Sequence, residues 1–311
     1  MDEKNQPAAI RHYRNLTKLI VQQYFGKPAS RIVYKSSGLT NYVFAVNHIE
    51  GQFVVRISPN AERIKAFKKE RWASQKAREA GVPTPEVLAV GNDAVSEPYM
   101  IMRRVTGSEA SHHPNRLRIV HAMAEYAAII NSIATTGFGS NFDWTNDTNK
   151  NTTWGSYLEN EFDLDARLRV LSANNILTDA QLQELAHIIT SGAARSVTAS
   201  LNHSDLRLKN VIVDEGGDIA AIVDWEDCLS TIAPEWELSI ALHDLTIDEK
   251  HAFIDGYGLS MQQVEEMAPL VKAFNILNYS QAIERAIDIQ DEKSFAEIKL
   301  RLNRSLDLYS L

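Results

Sequence analysis

The sequence predicts an α+β chain of two lobes: a small antiparallel β-sheet with one helix over 1–105, and a larger, mainly helical lobe over 106–311 that carries a β-hairpin. Three observations predict it. Short alternating apolar runs crowd the first hundred residues, and apolar positions at helical spacing fill most of the rest. Within that second part, Val211-Ile-Val213, a Gly216-Gly217 turn and Ile219-Ala-Ala-Ile-Val223 read as strand, turn, strand.

The elements follow in order. Arg31-Ile-Val-Tyr-Lys35 is strand-like and leads into the small turn Ser36-Ser-Gly38-Leu-Thr-Asn41, followed by alternating Tyr42-Val-Phe-Ala-Val46 and Phe53-Val-Val-Arg56-Ile57. Ile64, Phe67 and Trp72, set among charged residues, give a helix that ends at Ala80-Gly81 before Val82-Pro-Thr-Pro85. After Pro85-Glu-Val-Leu-Ala-Val-Gly91, a second strand-like run, Tyr99-Met-Ile-Met-Arg-Arg-Val105, ends at Thr106-Gly107. Leu117 to Ile133 is helical in spacing, and Gly137 to Thr153 reads as a long polar loop of the kind often used for function. Helices are expected over 154–171, 178–189, 234–245 and 251–257, and from Met261 to the end, with no internal repeat.

The most informative segment is His203-Ser-Asp-Leu-Arg-Leu-Lys-Asn210, with Asp224 beyond the expected hairpin. Its spacing is that of a kinase catalytic loop, and the residue types suit phosphoryl transfer. A hydroxyl attacking phosphorus through a loose transition state needs little early proton abstraction, so Asp205 as an ordinary carboxylate can orient it. Asn210 and Asp224 offer oxygens of the kind magnesium prefers, beside those of the nucleotide phosphates. His203 is placed to brace the loop. The plain alternative is a polar surface loop between two apolar strands, where Asp and Asn are common.

On these residues the chain resembles the aminoglycoside phosphotransferase and choline kinase-like family, whose fold is protein-kinase-like. The resemblance runs from about Ser36 to about Leu245. It implies Asp205 as catalytic base, His203 as its brace, Asn210 and Asp224 as magnesium ligands, and ATP as donor with GTP as the alternative. Arg207 stands where protein kinases place a lysine near the transferred phosphate, so its guanidinium would steady the developing charge. Many relatives have glycine after the histidine, where this chain has Ser204. Residues 1–105 would bind the nucleotide. There Ser37, Gly38 and Asn41 lie in the turn that meets the phosphates, and Arg56 takes the place of the family's lysine, paired with Glu70. Arginine binds as a fork and not as a point charge, so the exchange is not neutral. Met102 would shape the adenine pocket, with backbone contacts at Arg103 and Val105. Residues 106–311 would hold the catalytic loop, the metal ligands and the acceptor. The segment before Thr152-Thr153-Trp154, Pro83-Thr-Pro-Glu-Val-Leu88 and the surroundings of Asp224-Trp225 are similar to hygromycin B phosphotransferases, which suggests a hygromycin-like acceptor and a role in antibiotic resistance.

Composition bounds the partners. A chain of 311 residues at 44% hydrophobic can bury a sizeable core, and its single cysteine excludes an internal disulfide framework and suits a reducing compartment. No apolar stretch reaches membrane-spanning length and no signal-peptide core opens the sequence, so a cytoplasmic protein is expected. A formal charge of −8 without a basic block disfavours nucleic acid. Four acids cluster after Asp224, namely Glu226, Asp227, Glu235 and Glu237. They could attract a polycationic small-molecule hydroxyl acceptor, or could simply be solvated. Glu237 also matches a family acidic position that braces the catalytic region.

Two other classes stay open. A kinase of a metabolite alcohol (choline, an amino alcohol, a sugar or homoserine) needs the same loop, and a nucleotide-binding pseudoenzyme would be expected to have lost the base or a metal ligand. A protein kinase is disfavoured, because Ala233-Pro-Glu235 begins nine residues after Asp224 and leaves no activation segment.

Overall fold

A computed structural model describes residues 7–35, 41–140, 151–192 and 197–304. The chain divides into two compact units. The first is Met1–Ser108 with Ile212–Glu215 and Ala220–Glu226, and the second is Glu109–Val211, Gly216–Ile219 and Asp227–Leu311.

The first unit opens with α1 (Ala8–Phe25), closed by Gly26 in the left-handed conformation. The strands β1 (Arg31–Lys35), β2 (Tyr42–His48) and β3 (Gly51–Ile57) follow, then α2 (Arg63–Glu79), β4 (Val87–Gly91) and β5 (Tyr99–Arg103). They form one antiparallel sheet in the order β1-β2-β3-β5-β4. Strand alternation decides what each face holds. Phe53, Val55 and Ile57 are buried with Val46 and Ile101 against Ile20 and Val21 of α1. Arg56 falls between Val55 and Ile57 and so belongs to the other face, where its guanidinium lies 5.5 Å from the Phe67 ring of α2.

This unit therefore has two helices where the sequence reading expects one. The reason α1 is hard to read is that its buried residues are Arg14, Thr17, Ile20 and Val21, so half of its inner face is polar. Arg14 extends Nη1 2.5 Å to the Ile32 carbonyl and Thr17 caps Tyr13 O.

Further along the chain a short β6 (Ser108–Glu109) precedes α3 (Arg116–Asn131), α4 (Trp154–Asn160), α5 (Leu164–Ala173) and α6 (Asp179–Gly192). Then come β7 (Ser200–Asn202), β8 (Val211–Val213), β9 (Ile219–Ile222), β10 (Leu229–Thr231), α7 (Glu235–Ala241), α8 (Ile247–Tyr257), α9 (Met261–Asp288) and α10 (Glu292–Arg304). β8 and β9 are the expected hairpin. Most of it groups with the first unit, whereas the sequence reading counts it with the second; the Ile222 N–H bonds the Pro83 carbonyl, and the Val213 carbonyl comes so close to Gly107 that a β-carbon there would sit 2.4 Å away.

Two expected helices are each broken in two. Asp163, at a φ of 51°, ends the first half of 154–171 and caps α5 by accepting from the Ala166 N–H. Gln290, also at positive φ, divides α9 from α10. The core of the second unit is aromatic: Trp236 lies 5.1 Å from Phe274, which in turn packs edge-on with Trp154 and Phe162. Gly256 lets α8 close on α3, since a β-carbon there would meet the His121 carbonyl at 2.2 Å. Among the described residues no helix is long and apolar enough to cross a membrane.

Candidate active site

In the second unit, β7 delivers the chain into a loop that is fixed from beneath. His203 is fully buried and its Nδ1 accepts the Asp205 N–H at 3.3 Å. Ser204 has a φ of 64°, a left-handed conformation that favours glycine. Glycine is what the family resemblance leads one to expect at this position, and the structure shows how serine is held there. Glu237, at the start of α7, accepts the His203 N–H at 2.6 Å and the Ser204 N–H at 3.4 Å on Oε2, while Trp236 Nε1 donates to Ser204 Oγ at 3.1 Å. Leu206 and Leu208 are buried on either side of Arg207 and anchor the loop.

The Asp205 carboxylate is the hub. Oδ1 accepts from Arg207 Nε at 2.6 Å and lies 2.5 Å from its Nη2; Oδ2 lies 2.9 Å from Lys209 Nζ and accepts from Asn210 Nδ2 at 2.8 Å. Asn210 Nδ2 also donates to the Asp205 carbonyl at 2.8 Å, so its amide nitrogen is committed and its oxygen is left as the metal-ligand type. Burial opposes the Asp205 charge, but Lys209, Arg207 and Asn210 outweigh it and hold the carboxyl below its usual range. Asp205 is thus ionised at neutral pH, as a group that orients a hydroxyl must be. An acceptor hydroxyl has to displace one of the donors already on it. Arg207 continues to Asp244 at 3.6 Å, and Asp244 joins Arg301 of α10 at 3.8 Å.

Glu237 differs. Burial pushes it up to about 7, although the His203 and Ser204 N–H groups and the nearby Asn131 amide favour its charged form. Among the described residues its Oε1 is buried with no partner at hydrogen-bond geometry.

In the first unit the hub is a cation. Arg56 Nη1 lies 2.5 Å from Glu70 Oε1, and Nη2 lies 3.0 Å from Glu226 Oε2 and 3.9 Å from Asp224 Oδ1. Arg63 Nη2 adds a second bond to Glu226 at 2.5 Å. Burial works against the Arg56 charge, but Glu70, Asp224 and Glu226 overcome it and raise its pKa further. Asp224 has a φ of 69°, conformationally costly for a non-glycine residue, and its side chain is 42% exposed. Fully buried Trp225 pins the turn after it by donating Nε1 to the Ile222 carbonyl at 3.0 Å. Among the described residues no three His, Cys, Asp or Glu side chains gather as a metal cage. The Asn210 amide oxygen in the second unit and the exposed Asp224 carboxylate in the first are each, taken singly, of the oxygen type that magnesium accepts.

The expected site residues thus fall into two groups, each brought together within its own unit: Arg56, Glu70, Asp224 and Glu226, and His203, Asp205, Arg207, Asn210 and Glu237. Lys209, Arg63 and Asp244 are the additions that sequence reasoning missed. Two acids expected to face substrate do not. Glu226 is held by two arginines, and Glu237 is fully buried beneath the loop. Glu235 is half-buried and Asp227 exposed. Met102 is half-buried in β5. The Arg103 N–H, expected to serve a base, bonds the Glu86 carbonyl at 2.8 Å. Asn41 is buried at the start of β2, while Ser37 and Gly38 lie outside the described residues.

Comparison with known proteins bears on the family and the fold. The family model described as "phosphotransferase enzyme family" matches residues 33–270. Among solved structures, aminoglycoside phosphotransferase APH(4)-Ia superposes with a TM-score of 0.68 at 18% identity, covering 96% of this chain and 99% of that one. A thermostable mutant of that protein in ternary complex with AMP-PNP and hygromycin B gives 0.67 at 20% identity, covering 94% and 98%. The GDP and kanamycin complex of APH(2")-IIia gives 0.64 at 15%, covering 95% and 98%. At these identities the likeness speaks to the fold. A comparison with curated protein sequences finds no match.

Proposed function

Because the chain belongs to the phosphotransferase enzyme family, we propose that it transfers the γ-phosphate of a magnesium-bound nucleoside triphosphate to a hydroxyl of a small molecule, with a hygromycin-like aminoglycoside as the first candidate. The observation that carries this reading is the Asp205 carboxylate, kept ionised on a braced loop beside Asn210. In this reading Asp205 orients the hydroxyl and receives its proton late, while Arg207 and Lys209 can turn toward the charge that develops on the transferred group. Magnesium, when bound, would offset phosphate charge, with Asn210 and Asp224 as its protein ligands. Arg56, steadied by Glu70, would meet the nucleotide phosphates. Structural relatives in complex with hygromycin B and with kanamycin support an aminoglycoside acceptor.

A second acceptor class is favoured by one specific observation. Asp205 is ringed by Arg207 and Lys209, and two of the acids expected to draw a polycation are committed elsewhere. A neutral or anionic metabolite alcohol fits that charge pattern. The test is magnesium-dependent ADP release by the purified chain with ATP or GTP, against hygromycin B, kanamycin, choline, sugars and homoserine. Stimulation by an aminoglycoside supports the first acceptor, and stimulation only by a neutral or anionic alcohol supports the second. Nucleotide binding with no stimulation by any hydroxyl compound would sink the transfer reading.

A further inference from the structure

The second unit holds a cavity that the catalytic loop does not use. It lies among α7, α8 and α9 and has a volume of about 130 Å³. Its walls are apolar, with Leu242, Ile254, Val264 and Val271 among them, and two large apolar side chains at its lining, Ile247 and Met261, are 58% and 61% exposed. A cavity of about 150 Å³ lined by such side chains holds benzene. The size therefore suits a six- to eight-carbon body.

One polar feature sets the chemistry. Lys250 lines the cavity from α8, half-buried, and no described residue gives its ammonium a hydrogen bond or an ion pair. Burial lowers its pKa, the sign of a cation held against apolar surface without a counter-charge. His243 is close enough to feel that charge and cannot neutralise it, since it already lies 2.6 Å from Tyr279 Oη and 2.9 Å from Arg301 Nη1. Glu265 and His251 also line the cavity, but both are solvent-exposed. A half-buried lysine at the lining of an apolar hollow is stabilised most by an anion that brings its own apolar body.

We propose that this cavity is a binding site for a small apolar monocarboxylic acid, its ring or chain among the aliphatic side chains and its carboxylate on Lys250. No element of the phosphoryl-transfer reading is needed for it.

Titration calorimetry of the full chain with benzoate, and with benzyl alcohol as the neutral counterpart, tests the site. Benzoate should bind saturably at one site, and benzyl alcohol about tenfold more weakly, the value of one charge-assisted bond. Lys250→Met should weaken benzoate by about the same factor and leave the alcohol unchanged. Glu265→Gln, a surface change that should not disturb folding, should tighten benzoate by removing a like charge. Val264→Phe should abolish binding of both by filling the hollow, with its melting temperature recorded to show that it folds. Absence of saturable benzoate binding, equal affinity in native and Lys250→Met proteins, or no effect of a folded Val264→Phe would each overturn the proposal. The readout is heat of binding, so loss of phosphotransferase activity would not bear on it.

Discussion

Two charge clusters of similar size sit in the two units, and they are inverses of each other. Around Arg56 a cation is surrounded by carboxylates, Glu70, Glu226 and Asp224, with Arg63 as a second cation. Around Asp205 a carboxylate is surrounded by Arg207, Lys209 and the Asn210 amide. The first cluster has acid to spare and leaves Asp224 half-exposed, as a group that meets a metal ion would be. The second has positive charge to spare, as suits a place where a phosphoryl group passes. A buried ion pair is weak evidence for stability by itself, because desolvation cancels much of the attraction. The surplus sign on each cluster is the more useful guide to what it is built to meet.

Removing each hub separates the two roles. Asp205→Asn keeps the shape and an amide oxygen but cannot take the proton, so turnover should fall by about 10²- to 10⁴-fold while nucleotide binding and melting temperature change little. Arg56→Ala should behave the other way. It leaves Glu70 buried and unpaired, at a cost of about 3–5 kcal/mol in stability, and raises KM for ATP. The comparison collapses if Asp205→Asn melts early with normal turnover, or if Arg56→Ala leaves both melting and ATP kinetics unchanged.

The brace beneath the loop gives a pH signature of its own, and burial raises Glu70 of the Arg56 cluster in the same direction. Glu237 is raised to about 7 by burial, against an ordinary value near 4.5. Between those values the folded chain holds more protons than the unfolded one, so stability falls as pH rises through that window and levels off above pH 7. The whole effect is on the order of 3 kcal/mol. Glu237→Gln keeps an oxygen for the His203 and Ser204 N–H groups and should flatten the profile; a variant with the same slope as the native chain would show that another group titrates.

How much of this was legible in the sequence follows from the range of each contact. The strands and the hairpin came from local pattern and short spacing, the pairing of Arg56 with Glu70 came from the family resemblance, and the structure has all three. The α1 helix was missed because Arg14 and Thr17 take half of its buried positions. Arg63 was missed because its partner Glu226 is 163 residues away, and no pattern within a helix names such a partner. Lys209 was within reach. It stands four residues after Asp205, and the 3₁₀ turn Leu208–Asn210 brings it back onto the carboxylate, but a loop gives no period from which to read that. Glu237 was expected both among the substrate acids and as a brace of the catalytic region; its burial and its bonds to the His203 and Ser204 N–H groups fit the brace, which the run of neighbouring acids could not single out.

The smallest predicted effect concerns the two cations on the base. Lys209 and Arg207 both hold the Asp205 carboxyl below its usual range against the effect of burial, Lys209 on Oδ2 and Arg207 on Oδ1. Removing either should raise the folded-state value of Asp205, so the acid limb of kcat/KM moves to higher pH, because the carboxylate now protonates sooner. Lys209→Met leaves Arg207 and Asn210 on the hub, and Arg207→Ala leaves Lys209 and Asn210, so each variant should move the limb only partway. At pH 8 the two variants should differ from the native chain only through the lost positive charge near the transferred group. If the limb stays fixed in both, Asp205 is not the group whose ionisation limits turnover, and the inverse design of the two clusters would have to be explained without it.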